Sequence, residues 1–343
     1  MFTMGKTRRA QISDFHASGT RCPRILRNPS KRRGKKSVLA VLLFVAALTA
    51  FLSACQLIPR EQTGPDPGEA YGIVGLPGVR LLFHRSGKGL PQFSRIDPAD
   101  GAILGIAGLT SSRKKYVALF HQRALRLYDR GKYVSGYRND DGLKDVSSFL
   151  SDYDGDGNDD VFLLLGKEGE PYGERLIVLD FDGKTVQKTY DAPFGKLNPW
   201  KVQVCDVDGD GKKEVSLGVY TRAKYHPVYA RRPFLYEFHN RRLYPKWLGS
   251  RLSRPFDDYV FCDVDGDKKD ELISVETTQD GKKELNAYQW TGFGFESIGI
   301  SPAYDVIRDI RAGVGAVTAV CGSQTASEPK TFLYRNGVMK TEG

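Results

Sequence analysis

Three acidic segments recur along this chain in one register, each followed at once by apolar residues. The first is Asp152-Tyr153-Asp154-Gly155-Asp156-Gly157-Asn158-Asp159-Asp160. The second is Asp206-Val207-Asp208-Gly209-Asp210-Gly211-Lys212-Lys213-Glu214, and the third is Asp263-Val264-Asp265-Gly266-Asp267-Lys268-Lys269-Asp270-Glu271. Their starts lie 54 and 57 residues apart. A period of this size implies one structural unit used again and again, as in solenoids and propellers. Carboxylates at alternate positions with glycine between them put oxygens on one side of a tight turn, where they repel one another unless a cation sits among them. Several oxygen ligands in flexible number are what Ca²⁺ takes. A helix–loop–helix calcium site needs a bidentate acid at its twelfth position and flanking helices. The twelfth residues here are Leu163, Leu217 and Ser274, and the acid falls at the ninth position: Asp160, Glu214 and Glu271. That excludes the helical site on ligand chemistry.

The segments between the loops read as strands. The chain has 37 Gly, 18 Phe and 17 Tyr against 3 Met, a composition that favours strands and turns. Strand–turn–strand elements recur at residues 81–93, 124–135, 176–187, 234–245, 285–297 and 332–341, with turn residues such as Arg130-Gly131, Asp182-Gly183 and Asn336-Gly337. Val161-Phe162-Leu163-Leu164-Leu165 has no polar face and suits a strand covered on both sides. Each unit is thus strand, acidic loop, strand, hairpin. A four-stranded sheet cannot cover its own faces, and radial stacking of such sheets buries them. The expected fold is all-β, a β-propeller of five or six four-stranded blades over residues 71–343. Its units start near residues 98, 143, 198, 256 and 303, and the hairpin at 81–93 is left over. An open two-layer β-sandwich is the alternative.

The acidic pattern closely resembles the FG-GAP/VCBS repeat, found in the calcium-binding propeller of integrin α chains and in many bacterial surface proteins. The resemblance is strong over 143–300. Tyr288-Gln289-Trp290-Thr291-Gly292-Phe293-Gly294-Phe295 also resembles that family's aromatic-glycine segment. It implies Ca²⁺ held by side chains at positions 1, 3, 5 and 9 and a carbonyl at position 7. Carried over, the first site is Asp152, Asp154, Asp156, Asn158 and Asp160. The second is Asp206, Asp208, Asp210, Lys212 and Glu214, and the third is Asp263, Asp265, Asp267, Lys269 and Glu271. Lys268 stands where the other loops have Gly157 and Gly211. If that position needs φ > 0, lysine costs about 1 kcal/mol there, so the third site is expected to be the weakest. The implied role of the ion is structural.

Charge is distributed unevenly. Residues 1–55 hold eleven of the 51 Lys/Arg and one of the 41 Asp/Glu, so the remainder is formally neutral and the net +10 belongs to the N-terminal segment. A folded body without excess positive charge gives no reason to expect a nucleic-acid partner. Lys31-Arg32-Arg33-Gly34-Lys35-Lys36 precedes an uncharged apolar run, Val38 to Ala54, which would make about 26 Å of helix. That order reads as an export signal. Leu52-Ser53-Ala54-Cys55 resembles the bacterial lipobox, which implies cleavage before Cys55 and acylation of its thiol. An uncleaved signal anchor is the alternative. Residues 1–54 are read as leader and signal helix, and 55–70, rich in Pro, Gly and polar residues, as a flexible tether. The body is then extracytoplasmic and held at the membrane by lipid. Three cysteines remain in it, Cys205, Cys262 and Cys321. Cys205 and Cys262 each precede an acidic loop, where a small packed residue is the simpler explanation and a disulfide between them the alternative.

The five His (His16, His84, His121, His226 and His239) form no zinc-protease motif, and no nucleophile elbow is present. His121 in a strand reads as structural. Residues 225–247 interleave aromatics with Arg231, Arg232, Arg241 and Arg242, read first as a long hairpin with solvated arginines and second as a binding surface. The expected function is non-catalytic: a calcium-stabilised cell-surface lipoprotein that binds a protein or glycan. The alternative is an extracellular polysaccharide-degrading enzyme on the same scaffold.

Overall fold

The computed structural model describes residues 69–76, 79–86, 92–249 and 251–342. The chain divides into two compact units, 1–56 and 57–343, and all described residues belong to the second. The signal helix, the lipobox with Cys55 and the tether up to residue 68 lie outside the described residues.

The body is all-β. Strands β1 (Glu69–Leu76), β2 (Val79–Ser86) and β3 (Gln92–Arg95) form a three-stranded antiparallel sheet. The next sheet is β4 (Ile103–Ser111), β5 (Lys114–His121), β6 (Ala124–Asp129) and β7 (Lys132–Arg138). It is followed by β8 (Lys144–Ser151), β9 (Asp160–Gly166), β10 (Gly173–Phe181) and β11 (Val186–Pro193). Then come β12 (Pro199–Cys205), β13 (Glu214–Ala223), β14 (His226–His239) and β15 (Arg242–Trp247). The last two antiparallel meanders are β16 (Phe256–Cys262), β17 (Glu271–Thr277), β18 (Lys283–Trp290), β19 (Phe295–Ile300) and β20 (Val306–Ala312), β21 (Val317–Gly322), β22 (Ser327–Arg335), β23 (Val338–Thr341). A single parallel pairing of Ile300 with Val338 joins them into one eight-stranded sheet.

These sheets pack face against face in chain order, a propeller-like arrangement. The reason is visible in β9. Val161, Leu163 and Leu165 enter a core shared with β4–β6, while Phe162 and Leu164 enter a second core shared with β12–β14. Alternate residues of a strand point to opposite faces, so a sheet covered on both sides needs an unbroken apolar run. Strand β14 repeats this, with Phe234 and Tyr236 on one side and Leu235 on the other. Burying each such side chain is worth about 1.5–3 kcal/mol. The fourth strands β7 and β11 carry mostly exposed or half-buried residues, as befits an outer edge. First strands β8, β12, β16 and β20 instead face a common cavity of about 470 Å³, lined by Ser147, Lys201, Gln203, Asp258 and Arg311 among others.

The hairpins expected at 124–135, 176–187, 234–245, 285–297 and 332–341 are all present. Two details differ from expectation. The leftover hairpin at 81–93, for which the sequence shows no partner, gains β1 and becomes a three-stranded sheet. Arg232 is not solvated: it is fully buried. Cys205, Cys262 and Cys321 are all free and buried, so the bridge is not formed and the small-residue explanation stands.

Candidate metal centres

The three acidic loops join β8 to β9, β12 to β13 and β16 to β17. All three close with the same hydrogen bonds. The position 1 carboxylate accepts from the backbone N–H of positions 4 and 6. Asp152 accepts from Gly155 (2.9 Å) and Gly157 (3.1 Å), and Asp206 from Gly209 (2.8 Å) and Gly211 (3.0 Å). Asp263 accepts from Gly266 (2.7 Å) and Lys268 (3.1 Å). The position 5 carboxylate accepts from the position 7 N–H at 2.7–2.8 Å in every loop. The acid at position 9 accepts from the position 2 N–H: Asp160 from Tyr153 (3.3 Å), Glu214 from Val207 (3.1 Å) and Glu271 from Val264 (3.0 Å).

This frame requires left-handed backbone at positions 4 and 6. Position 6 has φ of +86° at Gly157, +80° at Gly211 and +71° at Lys268. Lysine therefore adopts the glycine conformation in the third loop, and the frame survives with its strain.

The loops gather carboxylates. Asp152, Asp154 and Asp156 bring ligand oxygens within 4.8 Å of one another, as do Asp206, Asp208 and Asp210, and Asp263, Asp265 and Glu271. Asp160, Glu214 and Asp267 stand outside these triads. Asp160 faces Tyr153 N–H, Glu214 also accepts from Lys246 Nζ (2.5 Å), and Asp267 accepts from Gln289 Nε2 (3.2 Å). At position 7, Asn158 donates through Nδ2 to Asp156, while Lys212 and Lys269 place their ammonium groups 3.5 Å from Asp210 and Asp267.

Two of the position 9 acids, Asp160 and Glu271, have no cationic side chain paired with them among the described residues. Burial, with Asp154, Asp180 and Asp156 adding to it, pushes Asp160 up to about 7. Burial and the third loop's own aspartates push Glu271 up to about 8. Burial raises Glu214 too, against the pull of Lys246. Glu271 is fully buried, and its Oε1 has no hydrogen-bond partner although it belongs to the third triad. A buried carboxylate oxygen without a donor costs free energy that a cation would offset. The donor set is all oxygen, which suits Ca²⁺ rather than a thiolate- or imidazole-binding metal.

Two features escaped the sequence reading. One lies across the strand pair from the position 9 acid. Glu237 is the registered partner of Glu214, and Asp180 lies one residue beyond the Val161–Leu179 pair. Burial raises the Asp180 carboxyl, with Asp156 and Asp154 adding to it. The other is position 8. Asp159 bonds Thr110 through both N–H (2.8 Å) and carboxylate (2.6 Å), and Asp270 bonds Asp206 the same way at 2.8 Å each. Lys213 Nζ reaches Ser151 Oγ (3.0 Å) and the Asp152 carbonyl (2.8 Å). Each loop thus latches to the preceding sheet. Cys262 continues the series, its thiol meeting the Gly313 carbonyl at 3.1 Å. His121 is buried, with Nδ1 3.4 Å from the Gly101 carbonyl, and burial lowers its pKa.

Serial acidic loops of one geometry, set on radially stacked antiparallel sheets, define a propeller-like repeat protein. Residues 152–216, from the first loop through the second, match the FG-GAP-like repeat, so the chain carries that repeat there. No curated protein matches the chain. Similar solved structures include one assigned as a 6-phosphogluconolactonase of Bacteroides uniformis, with 11% identity, 81% of this chain and 82% of that chain covered, and a TM-score of 0.49. Saccharomyces cerevisiae Sqt1 is 8% identical, with 80% and 82% covered and a TM-score of 0.48. BBS1N, in complex with ARL6DN, is 11% identical, with 78% and 79% covered and a TM-score of 0.47.

Proposed function

We propose that the chain is a non-catalytic binding module, held outside a bacterial membrane through lipid on Cys55. Its body is a six-bladed propeller whose first blade has three strands, with Ca²⁺ fastening the acidic loops. Asp152, Asp154, Asp156 and Asp160 hold the ion in the first loop, and Asp206, Asp208, Asp210 and Glu214 in the second. In the third, Asp263, Asp265, Asp267 and Glu271 do so, weakened by the strain at Lys268. Carbonyls of Asn158, Lys212 and Lys269 complete the sets.

The observation that carries the binding reading is the hairpin between β13 and β14. Tyr225 is 83% exposed and Tyr229 53%, with Val228 beside them. Their support is rigid. Arg232, fully buried, donates to the carbonyls of Thr221 (2.9 Å), His226 (3.0 Å) and Val228 (2.8 Å). Tyr220 stacks on Tyr172 at 5.8 Å and meets Tyr229 at 5.6 Å, and Arg222 lies 4.9 Å over Tyr229. Pre-ordered aromatics with adjacent guanidinium groups are what protein and glycan interfaces use as anchors. Hydrolysis of polysaccharide would call for a pair of free carboxylates in the central cavity. There Asp258 is held by Lys201 (2.6 Å), and Arg308 holds Asp309 (2.6 Å), which favours binding over catalysis. Capture of surface proteins and glycans by the wild-type chain and by Tyr225→Ser/Tyr229→Ser tests the reading. At least tenfold weaker capture by the double variant is expected, and equal capture refutes this surface.

A further inference from the structure

We propose that the second acidic loop carries its own cation, and that Lys246 makes Ca²⁺ entry there conditional while the first loop takes the ion outright. This rests on the calcium reading above.

The argument starts from a repeated irregularity. In four successive sheets the third and fourth strands pair with a β-bulge at the same place. The register shifts fall at Leu127/Tyr128, Val178/Leu179, Leu235/Tyr236 and Ala287/Tyr288. The extra residues on the fourth strands are Val134, Thr189, Lys246 and Ile298. A bulge re-aims the side chain it carries. Val134 and Ile298 pack on apolar cores, and Thr189 Oγ1 donates to the Val178 carbonyl of its own sheet (3.3 Å). Only the second loop's sheet places a charge at this position.

The Lys246 side chain is 14% exposed, and its Nζ lies 2.5 Å from Asp208 Oδ2 and 2.5 Å from Glu214 Oε1. Both acids belong to the expected ligand set. Among the described residues, no Lys or Arg side chain forms an ion pair with the carboxylates of Asp152, Asp154, Asp160, Asp263, Asp265 or Glu271. The second site therefore starts partly neutralised by a largely buried ammonium bonded to two of its acids, whereas the third has only the looser Lys269–Asp267 pair at 3.5 Å and the first has no such pair among the described residues. Asp208 Oδ1 is buried without a partner, so the ammonium does not satisfy the cluster and a divalent cation still has an oxygen to gain. A displaced amine also has somewhere to go. Lys246 and Asp208 line an open pocket of about 490 Å³ that Glu237 and a second lysine, Lys269, also line. Two charge-assisted hydrogen bonds must break before Ca²⁺ can take Asp208 and Glu214, so its affinity there falls by about tenfold or more.

The test is Ca²⁺ binding by equilibrium dialysis on the full-length chain and on its Lys246→Met and Lys246→Arg variants. One site in Lys246→Met should tighten at least tenfold with the others unchanged, while Lys246→Arg should keep the weak site. Superposed isotherms for wild type and Lys246→Met, with ions bound, would overturn the role of Lys246 and leave the calcium reading intact. No Ca²⁺ bound by any form would overturn both. A second readout needs no variant. In the wild-type chain, acetylation of Lys246 followed by mass spectrometry should rise severalfold between chelator and saturating CaCl₂. Unchanged labelling of a chain that binds the metal would sink the proposal.

Discussion

Lys268→Gly is expected to stabilise the protein. Lys268 holds φ of +71° in the position that Gly157 and Gly211 fill at +86° and +80°. Left-handed backbone costs a residue with a Cβ about 1–2 kcal/mol. Glycine gives back about 0.5–1 kcal/mol through its freer unfolded chain. The net gain is about 0.5–1 kcal/mol, or about 1–3 °C in Tm for a body of this size. The Lys268 side chain is exposed and the hydrogen bond to Asp263 comes from its backbone, so the substitution removes strain and little else. The reverse change, Gly211→Lys, should lose a similar amount, because a Cβ there meets nothing within 4 Å and only the backbone term is left. Both are to be measured by thermal denaturation in excess chelator, which separates conformational strain from metal affinity. A lower Tm for Lys268→Gly, or an unchanged Tm for Gly211→Lys, would refute the reasoning.

Stability in chelator should fall with rising pH. Asp160 and Glu271 keep their protons to about 7 and about 8 in the folded protein, against about 4 in the unfolded chain. Their contribution is complete below about pH 4 and is lost as pH rises through those values, a change of a few kcal/mol. Saturating Ca²⁺ should reverse the trend, and urea midpoints at pH 5 and pH 8 with and without the ion will show whether it does. Tyr153→Phe removes a hydroxyl that donates to the Phe238 carbonyl (2.5 Å) and accepts from the Phe238 N–H (2.8 Å). The loss should be about 1–3 kcal/mol in urea unfolding, and a change under about 0.5 kcal/mol would show that water replaces the phenol.

The acidic loops were legible because their information is local: nine consecutive residues fix the ligand spacing, the glycine positions and the strand that follows. The strand runs were legible for a related reason, since a sheet buried on both faces leaves an unbroken apolar segment such as Val161–Leu165. What stayed hidden depends on pairing between distant segments. Strand β1 contains Gly72 and Gly75 and borders a Pro/Gly-rich stretch, so only its partner β2 identifies it. Lys246 looks like a surface lysine until the bulge beside Pro245 turns it toward Asp208 and Glu214. Arg232 sits among exposed basic residues in sequence and is buried only because the β13–β14 hairpin folds three carbonyls around it. The paired use of Asp159 and Asp270 left one trace, an acid at position 8 in two loops of three, which spacing alone could not interpret.

The position 8 contacts also set the order in which the molecule can come apart. Each of the three loop-bearing sheets is pinned to the one before it at its acidic loop, so these joints are arranged in series. Opening the joint of the third loop, where Asp270 holds Asp206, frees a ligand residue of the second loop. Hydrogen exchange should therefore advance inward from the two terminal sheets as a travelling front, and external calcium should set how far that front moves before it is driven back.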